Sequence, residues 1–311
     1  MANELLNGCT VCGPDSPHTD HKVAETMFRT GDAFTYRECR DCGTVQIAAV
    51  PDDLARHYGS DYYSFQMPGG RLSHPALRNR LGRTAVRANT ELYLRTGKGW
   101  GIDWSRTAGM RPSESILDLG CGGGEHVKHL HNFGFRHLVG ADPFLDADRE
   151  VALGVPLYRR RHYEVDGQFD WVMLHHTFEH IPDPRATLAS VARVLAPGGR
   201  VLLRLPLAGG WAWRMYGADW VQLDAPRHLV LYSLPGLRRL AEAEGFDVEL
   251  VVFDSTGFQV WGSELVRHGI PHNRGPVGFD RSQLAAWDNK ADQLNRALDG
   301  DQAVIVLRPA R

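Results

Sequence analysis

The feature that most constrains this chain is the segment at residues 116–125, which reads Ile-Leu-Asp-Leu-Gly-Cys-Gly-Gly-Gly-Glu. An apolar stretch ends in an acidic residue, and glycines then occupy positions 120, 122 and 124. This pattern predicts a buried strand that turns sharply into a helix, with bare backbone at the turn. Because free amides at a helix N-terminus bind the polar part of a nucleotide-like ligand, the segment predicts a cofactor site.

Two classes of cofactor site combine a strand, a glycine-rich turn and a helix. A dinucleotide fingerprint has glycines at its first, third and sixth positions. Counted from Gly120, the third position is Gly122, but the sixth is Glu125. The sixth glycine lets the helix pack closely on the strand, so Glu125 argues against a dinucleotide.

The spacing acidic-x-Gly-x-Gly-x-Gly, which starts at Asp118, resembles the first motif of the class I S-adenosylmethionine-dependent methyltransferases. Three later segments are similar to that family in the same order. They are Gly140-Ala141-Asp142, residues 169–181 with their Glu179-His180-Ile181 ending, and the Leu-Ala-Pro-Gly-Gly turn at residues 195–199. The resemblance covers roughly residues 115–255 and implies S-adenosylmethionine as the cofactor.

The resemblance also implies which residues hold that cofactor. A carboxylate at Asp142 can accept both hydroxyls of a ribose. We expect cofactor contacts from Asp118, Gly120, Cys121, Gly122, Gly124, Asp142, Pro143 and His175. The alternative is that the glycines only form a tight turn and that Asp142 caps a helix. Residues 158–165 lack the acidic and apolar pair that often holds adenine in the family, so the adenine contacts stay unassigned.

Strand-like and helix-like segments alternate after residue 112, which predicts an α/β fold with a doubly wound, mostly parallel, seven-stranded Rossmann-like sheet. Strands are expected near 115–120, 137–141, 155–158, 169–174, 200–205, 247–253 and 303–308. Helices are expected near 124–133, 144–153, 184–196, 234–244 and 281–298. We divide the chain into a zinc-knuckle module at 1–65, a helical linker or cap at 66–112, and a methyltransferase domain at 113–311 with an insertion at 255–302.

The cysteines at the start of the chain form two Cys-x-x-Cys pairs, Cys9 with Cys12 and Cys39 with Cys42, each followed directly by glycine. Four thiolates suit tetrahedral zinc, and a site with four protein ligands is closed and structural. His18 and His21 lie between the pairs and are alternative ligands. Unliganded, reduced cysteines are the other interpretation.

A cysteine module before this kind of domain resembles a subgroup that includes C-methyltransferases acting on nucleotide-linked deoxysugars. The aromatic residues Tyr58, Tyr62 and Tyr63 and the segment at 224–233 carry that similarity. The sugar enzymes usually have a further C-terminal domain, for which this chain has no room, so the sugar acceptor is an analogy.

Histidines cluster where a doubly wound sheet places its active site, beyond the C-terminal ends of the strands. Methyl transfer to a hydroxyl or carbon acid needs a base, and histidine has a suitable pKa range. The candidate catalytic residues are His228, His176, Glu179, His180 and Tyr63. His228 is the first choice for the base, with helix capping or a backbone hydrogen bond as the alternative role. No catalytic metal is expected, because Pro182 argues against a helix that would bring His176 and His180 together.

Composition limits the partners. The formal net charge of −2 provides no general attraction to nucleic acid, and few basic residues flank the cysteine pairs. No apolar run approaches the roughly 20 residues of a membrane span, and residues 1–7 do not resemble a signal peptide, so we expect a cytoplasmic protein. The expected partner is a small-molecule acceptor, such as a sugar or another secondary metabolite. A peptide or carrier-bound acceptor and a non-catalytic cofactor-binding partner protein remain alternatives, and the oligomeric state stays open.

Overall fold

The fold consists of two sheets with helices packed around them. The computed structural model describes residues 8–58, 80–98, 102–152 and 154–310. The candidate catalytic residue Tyr63 lies outside these described residues, as does Tyr62. No helix of the described segments is both long and apolar enough to cross a membrane.

The N-terminal segment forms an antiparallel sheet. Its strands are β1 (His18–Ala24), β2 (Ala33–Cys39) and β3 (Val45–Ile47). Strand β2 pairs with both β1 and β3. Two helices follow within the predicted linker, α1 (Arg80–Thr96) and α2 (Asp103–Ala108).

The second sheet carries the predicted cofactor turn. Its strands are β4 (Ser115–Leu119), β5 (His137–Ala141), β6 (Arg149–Ala152), β7 (Val155–Tyr158), β8 (Phe169–His175), β9 (Leu195–Pro206), β11 (Phe246–Phe253) and β12 (Gln302–Pro309). Their order is β11-β12-β9-β8-β4-β5-β7-β6. The five central strands from β9 to β7 are parallel, while β6, β11 and β12 are antiparallel to their neighbours.

Six further helices belong to this part of the chain. They are α3 (Glu125–Asn132), α4 (Pro184–Val194), α5 (Trp211–Tyr216), α6 (Leu234–Ala243), α7 (Phe258–Arg267) and α8 (Arg281–Arg296). Local chemistry explains where two of them begin. The Asp183 side chain accepts from the Ala186 amide to start α4, and the Ser233 hydroxyl accepts from the Gly236 amide to start α6.

Two expectations about this sheet were wrong. The sheet has eight strands rather than seven, because β6 adds an antiparallel edge. That edge strand occupies part of residues 144–153, where we expected a helix. The Asp148 carboxylate accepts from the Arg159 amide, and Gly154 adopts a positive φ of 75° that turns the chain back into β7. These local bonds favour a hairpin over a helix.

The two sheets are joined by a strand from the later part of the chain. Strand β10 (Val230–Leu231) pairs with β3, which makes the first sheet four-stranded. Buried residues of the N-terminal sheet, such as Tyr36 and Val45, therefore share one apolar core with the centre of the second sheet. This union places the N-terminal segment directly beside the loops that follow β8 and β9.

Candidate active site and metal centre

The candidate site lies where the order in which the chain adds strands to the sheet reverses. The chain runs from β4 outward through β5 to β7 and then returns to β8 on the other side of β4. Ligands of open α/β sheets bind at such a switch point, outside the carboxyl ends of the strands. Here the carboxyl ends of β4 and β8 lead into the glycine turn and into the histidine-rich loop.

The glycine turn has the backbone geometry that its sequence predicts. Gly120, Gly122 and Gly124 have φ values of 76°, 50° and 85°, in the left-handed region that favours glycine. A Cβ atom at Gly120 would lie 2.2 Å from Thr177 Cγ2, so only glycine lets the loop after β8 pack here. The turn and the histidine-rich loop are therefore in direct contact.

Two buried carboxyl groups face this turn. Asp142 Oδ2 accepts from the Gly122 amide at 2.9 Å, and Oδ1 accepts from the Phe144 amide at 2.8 Å. Asp118 is 1% exposed, and its Oδ2 has no hydrogen-bond partner among the described residues. Burial, reinforced by the charge of Asp142, raises the pKa of Asp118 to about 8. An unpaired buried carboxyl oxygen beside a bare turn fits a ligand that brings its own hydrogen-bonding groups.

Two other predicted cofactor contacts, Cys121 and Pro143, have side chains with little reactivity at this place. Cys121 is buried in the turn, and its burial raises the pKa of the thiol well above the usual range, so a nucleophilic role is not supported. Pro143 is half-buried directly after Asp142.

His175 ends β8 inside an aromatic cluster. Its ring centroid lies 3.9 Å from that of His126 and 5.3 Å from that of Trp104. Burial lowers the pKa of His126 to about 4 and holds that of His175 well below its ordinary value. Both rings are therefore neutral at pH 7. His126 and Trp104 were not predicted, although His126 falls in the first turn of the helix that the glycine turn begins.

Glu179 is the centre of the histidine group. Its side chain is fully buried, and neither carboxylate oxygen makes a hydrogen bond among the described residues. Oε1 lies 3.3 Å from His176 Nδ1 and 3.9 Å from His228 Nε2. Burial alone would raise the pKa of Glu179, but His176, His180 and His228 together hold it below the ordinary value. The carboxylate is thus poised to stabilise positive charge on an imidazole.

His228 and His180 each have Nδ1 beside a main-chain carbonyl oxygen. His228 Nδ1 lies 2.7 Å from the Gln222 carbonyl oxygen, and His180 Nδ1 lies 2.8 Å from the Arg227 carbonyl oxygen. A carbonyl only accepts, so each ring carries its proton on Nδ1 and has a lone pair on Nε2. Burial lowers the pKa of His180 to about 4.

Ligand atoms of Glu179, His180 and His228 all lie within 4.8 Å of one another, a geometry that could hold a metal ion. We predicted no catalytic metal from the pair His176 and His180. The structure instead brings His228, from a different loop, to the Glu179-His180 pair.

His176 has a different environment from the other candidate bases. Its φ of 52° lies in the left-handed region, which is uncommon for a residue with a side chain. Arg204 donates to Nε2 at 3.0 Å, while Nδ1 faces Glu179. Arg204 is itself paired with Asp254 at 2.6 Å. Both ring nitrogens are therefore engaged, and the ring connects Arg204 to Glu179.

The four predicted zinc ligands converge in the N-terminal segment. The sulfur atoms of Cys9, Cys12, Cys39 and Cys42 lie within 4.8 Å of one another. Cys9 Sγ and Cys42 Sγ are 3.7 Å apart, close to the edge of about 3.8 Å in a tetrahedron with 2.3 Å zinc–sulfur bonds. The residues present thus fit a tetrathiolate zinc site.

Neighbouring groups suit the negative charge of such a site. Arg239 donates to Cys12 Sγ at 3.5 Å. The alternative ligands are directed elsewhere, since His21 pairs with Glu38 at 3.1 Å and His18 lies near the Ser16 carbonyl and Asp20.

Comparison with known proteins identifies the domain around the glycine turn. Residues 103–251 match a family described as "Methyltransferase domain". The chain is similar to the ubiquinone biosynthesis O-methyltransferase of Aeromonas salmonicida, with 31% identity over an alignment of 176 positions that covers 50% of this chain and 71% of that protein. It is also similar to the enzyme of the same description from Aromatoleum aromaticum, with 34% identity over 32% of this chain and 47% of that protein.

The chain spans about half the length of other curated relatives that it matches, such as those from Aromatoleum aromaticum and Klebsiella pneumoniae. Among solved structures, it aligns with a 1,6-didemethyltoxoflavin-N1-methyltransferase from Burkholderia thailandensis that contains S-adenosylhomocysteine. That alignment has 15% identity and a TM-score of 0.42, and covers 86% of this chain and 96% of that protein.

Proposed function

This chain belongs to the class I S-adenosylmethionine-dependent methyltransferases, and we propose that it methylates a small-molecule acceptor with His228 as the general base. The proposed acceptor is a sugar or another secondary metabolite. The observation that carries the proposal is the orientation of His228. Its Nδ1 is held by the Gln222 carbonyl, so the basic Nε2 faces the buried carboxylate of Glu179.

The proposed chemistry follows from the surroundings of the ring. S-adenosylmethionine, when bound, supplies the electrophilic methyl carbon. His228 Nε2 takes the proton that the acceptor hydroxyl or carbon acid loses, and Glu179 stabilises the resulting imidazolium. His180 orients the loop through Arg227, and His176 connects Glu179 to Arg204. His228 is only 7% exposed, which limits the water that competes for the methyl group.

The cofactor would be held at the glycine turn. Gly120, Gly122 and Gly124 leave the backbone open, and Asp142 would accept hydrogen bonds from the ribose hydroxyls. The unpaired oxygen of Asp118 would form a hydrogen bond with a polar group of the ligand. Cys121, Pro143 and His175 would line the same place. These roles are proposals, and Asp142 already accepts two backbone hydrogen bonds that would hold its carboxylate in position.

The N-terminal cysteines would hold a structural zinc ion. A site with four thiolate ligands has no open position for substrate, so its contribution is to folding. This assignment fits the proposed division into a zinc module at 1–65, a helical cap at 66–112 and a methyltransferase domain at 113–311. The contact of β3 with β10 means that the first and last of these would not be independent of each other.

Two observations bear on which atom of the acceptor receives the methyl group, and they differ. The curated relatives are described as O-methyltransferases, which favours a hydroxyl acceptor. The similarity of the cysteine module to the deoxysugar subgroup favours a carbon acid. Peptide or carrier-bound acceptors and a non-catalytic role remain the alternatives that the assay must exclude.

The test is turnover with radiolabelled S-adenosylmethionine against nucleotide-linked deoxysugars and hydroxylated aromatic compounds. His228→Ala is expected to lower kcat by about 10²–10⁴-fold, the usual contribution of a general base. Cofactor affinity, measured by calorimetry, should be unchanged. His137→Ala is the matched control, because His137 is exposed at the amino end of β5, the edge of the sheet opposite to the site. Wild-type turnover in His228→Ala would refute the base assignment.

A further inference from the structure

Arg227, the residue before the proposed base, lies in a fully buried cluster of charges. Its guanidinium donates to Asp224 at 2.6 Å and 3.0 Å, to Glu25 Oε1 at 3.0 Å and to the His57 carbonyl at 3.0 Å. The side chains of Arg227 and Glu25 are both 0% exposed. Two of these partners, Glu25 and His57, come from the N-terminal segment.

Besides Arg227, the Glu25 carboxylate is held by main-chain amides of the turn that follows it. Its Oε1 accepts from the Met27 and Phe28 amides at 3.0 Å and 3.1 Å, and its Oε2 accepts from the Phe28 and Thr30 amides at 3.1 Å and 3.2 Å. A carboxylate with this many fixed donors has one position available. Glu25 therefore presents a negative charge to Arg227 at a fixed position.

A buried ion cluster is a poor source of stability, because desolvation of the charges offsets most of their attraction. Its effect is instead on geometry, since each charge must sit where its partners are. Asp224 shows this constraint, with a φ of 36° in the left-handed region. Burial would raise the pKa of Asp224, but Arg227 holds it well below the ordinary range, so the cluster stays charged.

The N-terminal segment also binds the main chain at the proposed base and at the residue after it. Tyr36 of β2 donates to the His228 carbonyl at 2.7 Å, and the Ile47 amide of β3 donates to the Leu229 carbonyl at 2.9 Å. The Leu229 amide in turn donates to the Glu179 carbonyl at 2.8 Å. The N-terminal segment thus binds the chain on both sides of His228.

We propose that the N-terminal segment positions the general base, with Glu25 and Arg227 as the positioning residues. The inference rests on the proposed base role of His228. Neither residue touches the reacting atoms. Their ion pair fixes the conformation of residues 224–228. In that conformation Nε2 of His228 faces Glu179. On this view the cysteine module is part of the active site's framework and not a separate binding domain.

The test compares four variants of the full chain. Glu25→Gln keeps the shape of the side chain but removes the charge that Arg227 meets, and Tyr36→Phe removes only the hydroxyl that binds the His228 carbonyl. Ile305→Val is a core control, because Ile305 is fully buried in β12, a strand that contributes none of the charged residues of this cluster. His228→Ala assigns the His228 signal among the 15 histidines in spectra of the chain carrying ¹³C-labelled histidine.

We expect the His228 signal to shift or split in Glu25→Gln and Tyr36→Phe and to stay as in the wild type in Ile305→Val. With an acceptor that the wild-type enzyme methylates, kcat should fall about tenfold or more in Glu25→Gln, while the acceptor KM and the cofactor affinity stay within twofold. In the His228→Ala background, Glu25→Gln should lower the residual rate no further.

Two results would separate the failure of this inference from that of the proposed function. Wild-type turnover in His228→Ala removes the base and with it the positioning role. If His228→Ala loses turnover but Glu25→Gln keeps both the wild-type kcat and the wild-type His228 signal, only the positioning role is wrong. A further loss from Glu25→Gln in the His228→Ala background would also overturn it, since the effect would then not act through His228.

Discussion

Replacement of Gly120 by alanine tests whether the glycine turn and the histidine-rich loop act as one unit. The new Cβ would lie 2.2 Å from Thr177 Cγ2, 2.6 Å from Oγ1 and 2.9 Å from Cβ. Contacts this short cannot exist, so the loop carrying Thr177 must move. Because Gly120 also has a φ of 76°, alanine would be strained there even in open space.

The expected loss in the free energy of unfolding follows from the steric overlap and the backbone strain. A side chain in the left-handed region costs about 1–2 kcal/mol, and an overpacked contact costs about 1–3 kcal/mol more. Gly120→Ala should therefore lower the free energy of unfolding by about 2–5 kcal/mol. Gly198 provides a matched control, since its φ is 79° and a Cβ there would meet nothing within 4 Å. Gly198→Ala should cost only the backbone term of about 1–2 kcal/mol.

Thermal unfolding and calorimetric titration of S-adenosylmethionine measure the two consequences. Gly120→Ala should melt at least about 2 °C below Gly198→Ala and lose cofactor affinity, while Gly198→Ala keeps it. Adding Thr177→Gly to Gly120→Ala removes all three short contacts and should recover part of the loss. Equal melting temperatures for the two alanine variants, together with unchanged cofactor affinity, would refute the reasoning.

Three further predictions concern the cofactor, the metal and the buried acid. Asp142→Ala should weaken binding of S-adenosylmethionine in calorimetry, and unchanged affinity would contradict its role at the turn. Metal analysis should find about one zinc per chain, which Cys39→Ser loses; a metal ion retained by Cys39→Ser and lost by Glu179→Gln would place a metal on the histidine group and contradict the base assignment. Burial raises the pKa of Asp118 to about 8 in the folded chain, so its contribution to stability falls as the pH rises from about 4 through 8. Asp118→Asn does not ionise, and its melting temperature relative to the wild type should therefore increase across that pH window; a constant difference would show that Asp118 has no raised pKa.

Much of the second sheet could be predicted from short patterns. The apolar run before Gly120, the Asp183-Pro184 start of α4 and the Ser233 start of α6 each rest on interactions within a few residues. Local chemistry of that kind is readable from the sequence alone. Where two local patterns compete, the prediction failed, as at residues 144–153, where aspartate hydrogen bonds and Gly154 favour a hairpin.

The environment of the histidines could not be predicted in the same way. His176, His180 and His228 were recognised as candidates by their place after the strands. Which nitrogen each presents depends on the carbonyl or guanidinium that the fold brings to the other nitrogen, such as Gln222 for His228 and Arg204 for His176. The residues around Gln222 and Arg204 in the sequence form no pattern that would indicate a contact with a histidine.

The sequence by itself determined the strand–turn–helix at residues 116–125, the class of cofactor that its resemblance implies and the pairing of cysteines into two knuckles. Those features depend on spacings within short segments, where the backbone has few alternatives. Only the tertiary structure decided that the N-terminal sheet is completed by β10 and that Glu25 meets Arg227, 202 residues away. Charges so distant in sequence acquire a fixed relation only when burial removes water and leaves each as the other's partner.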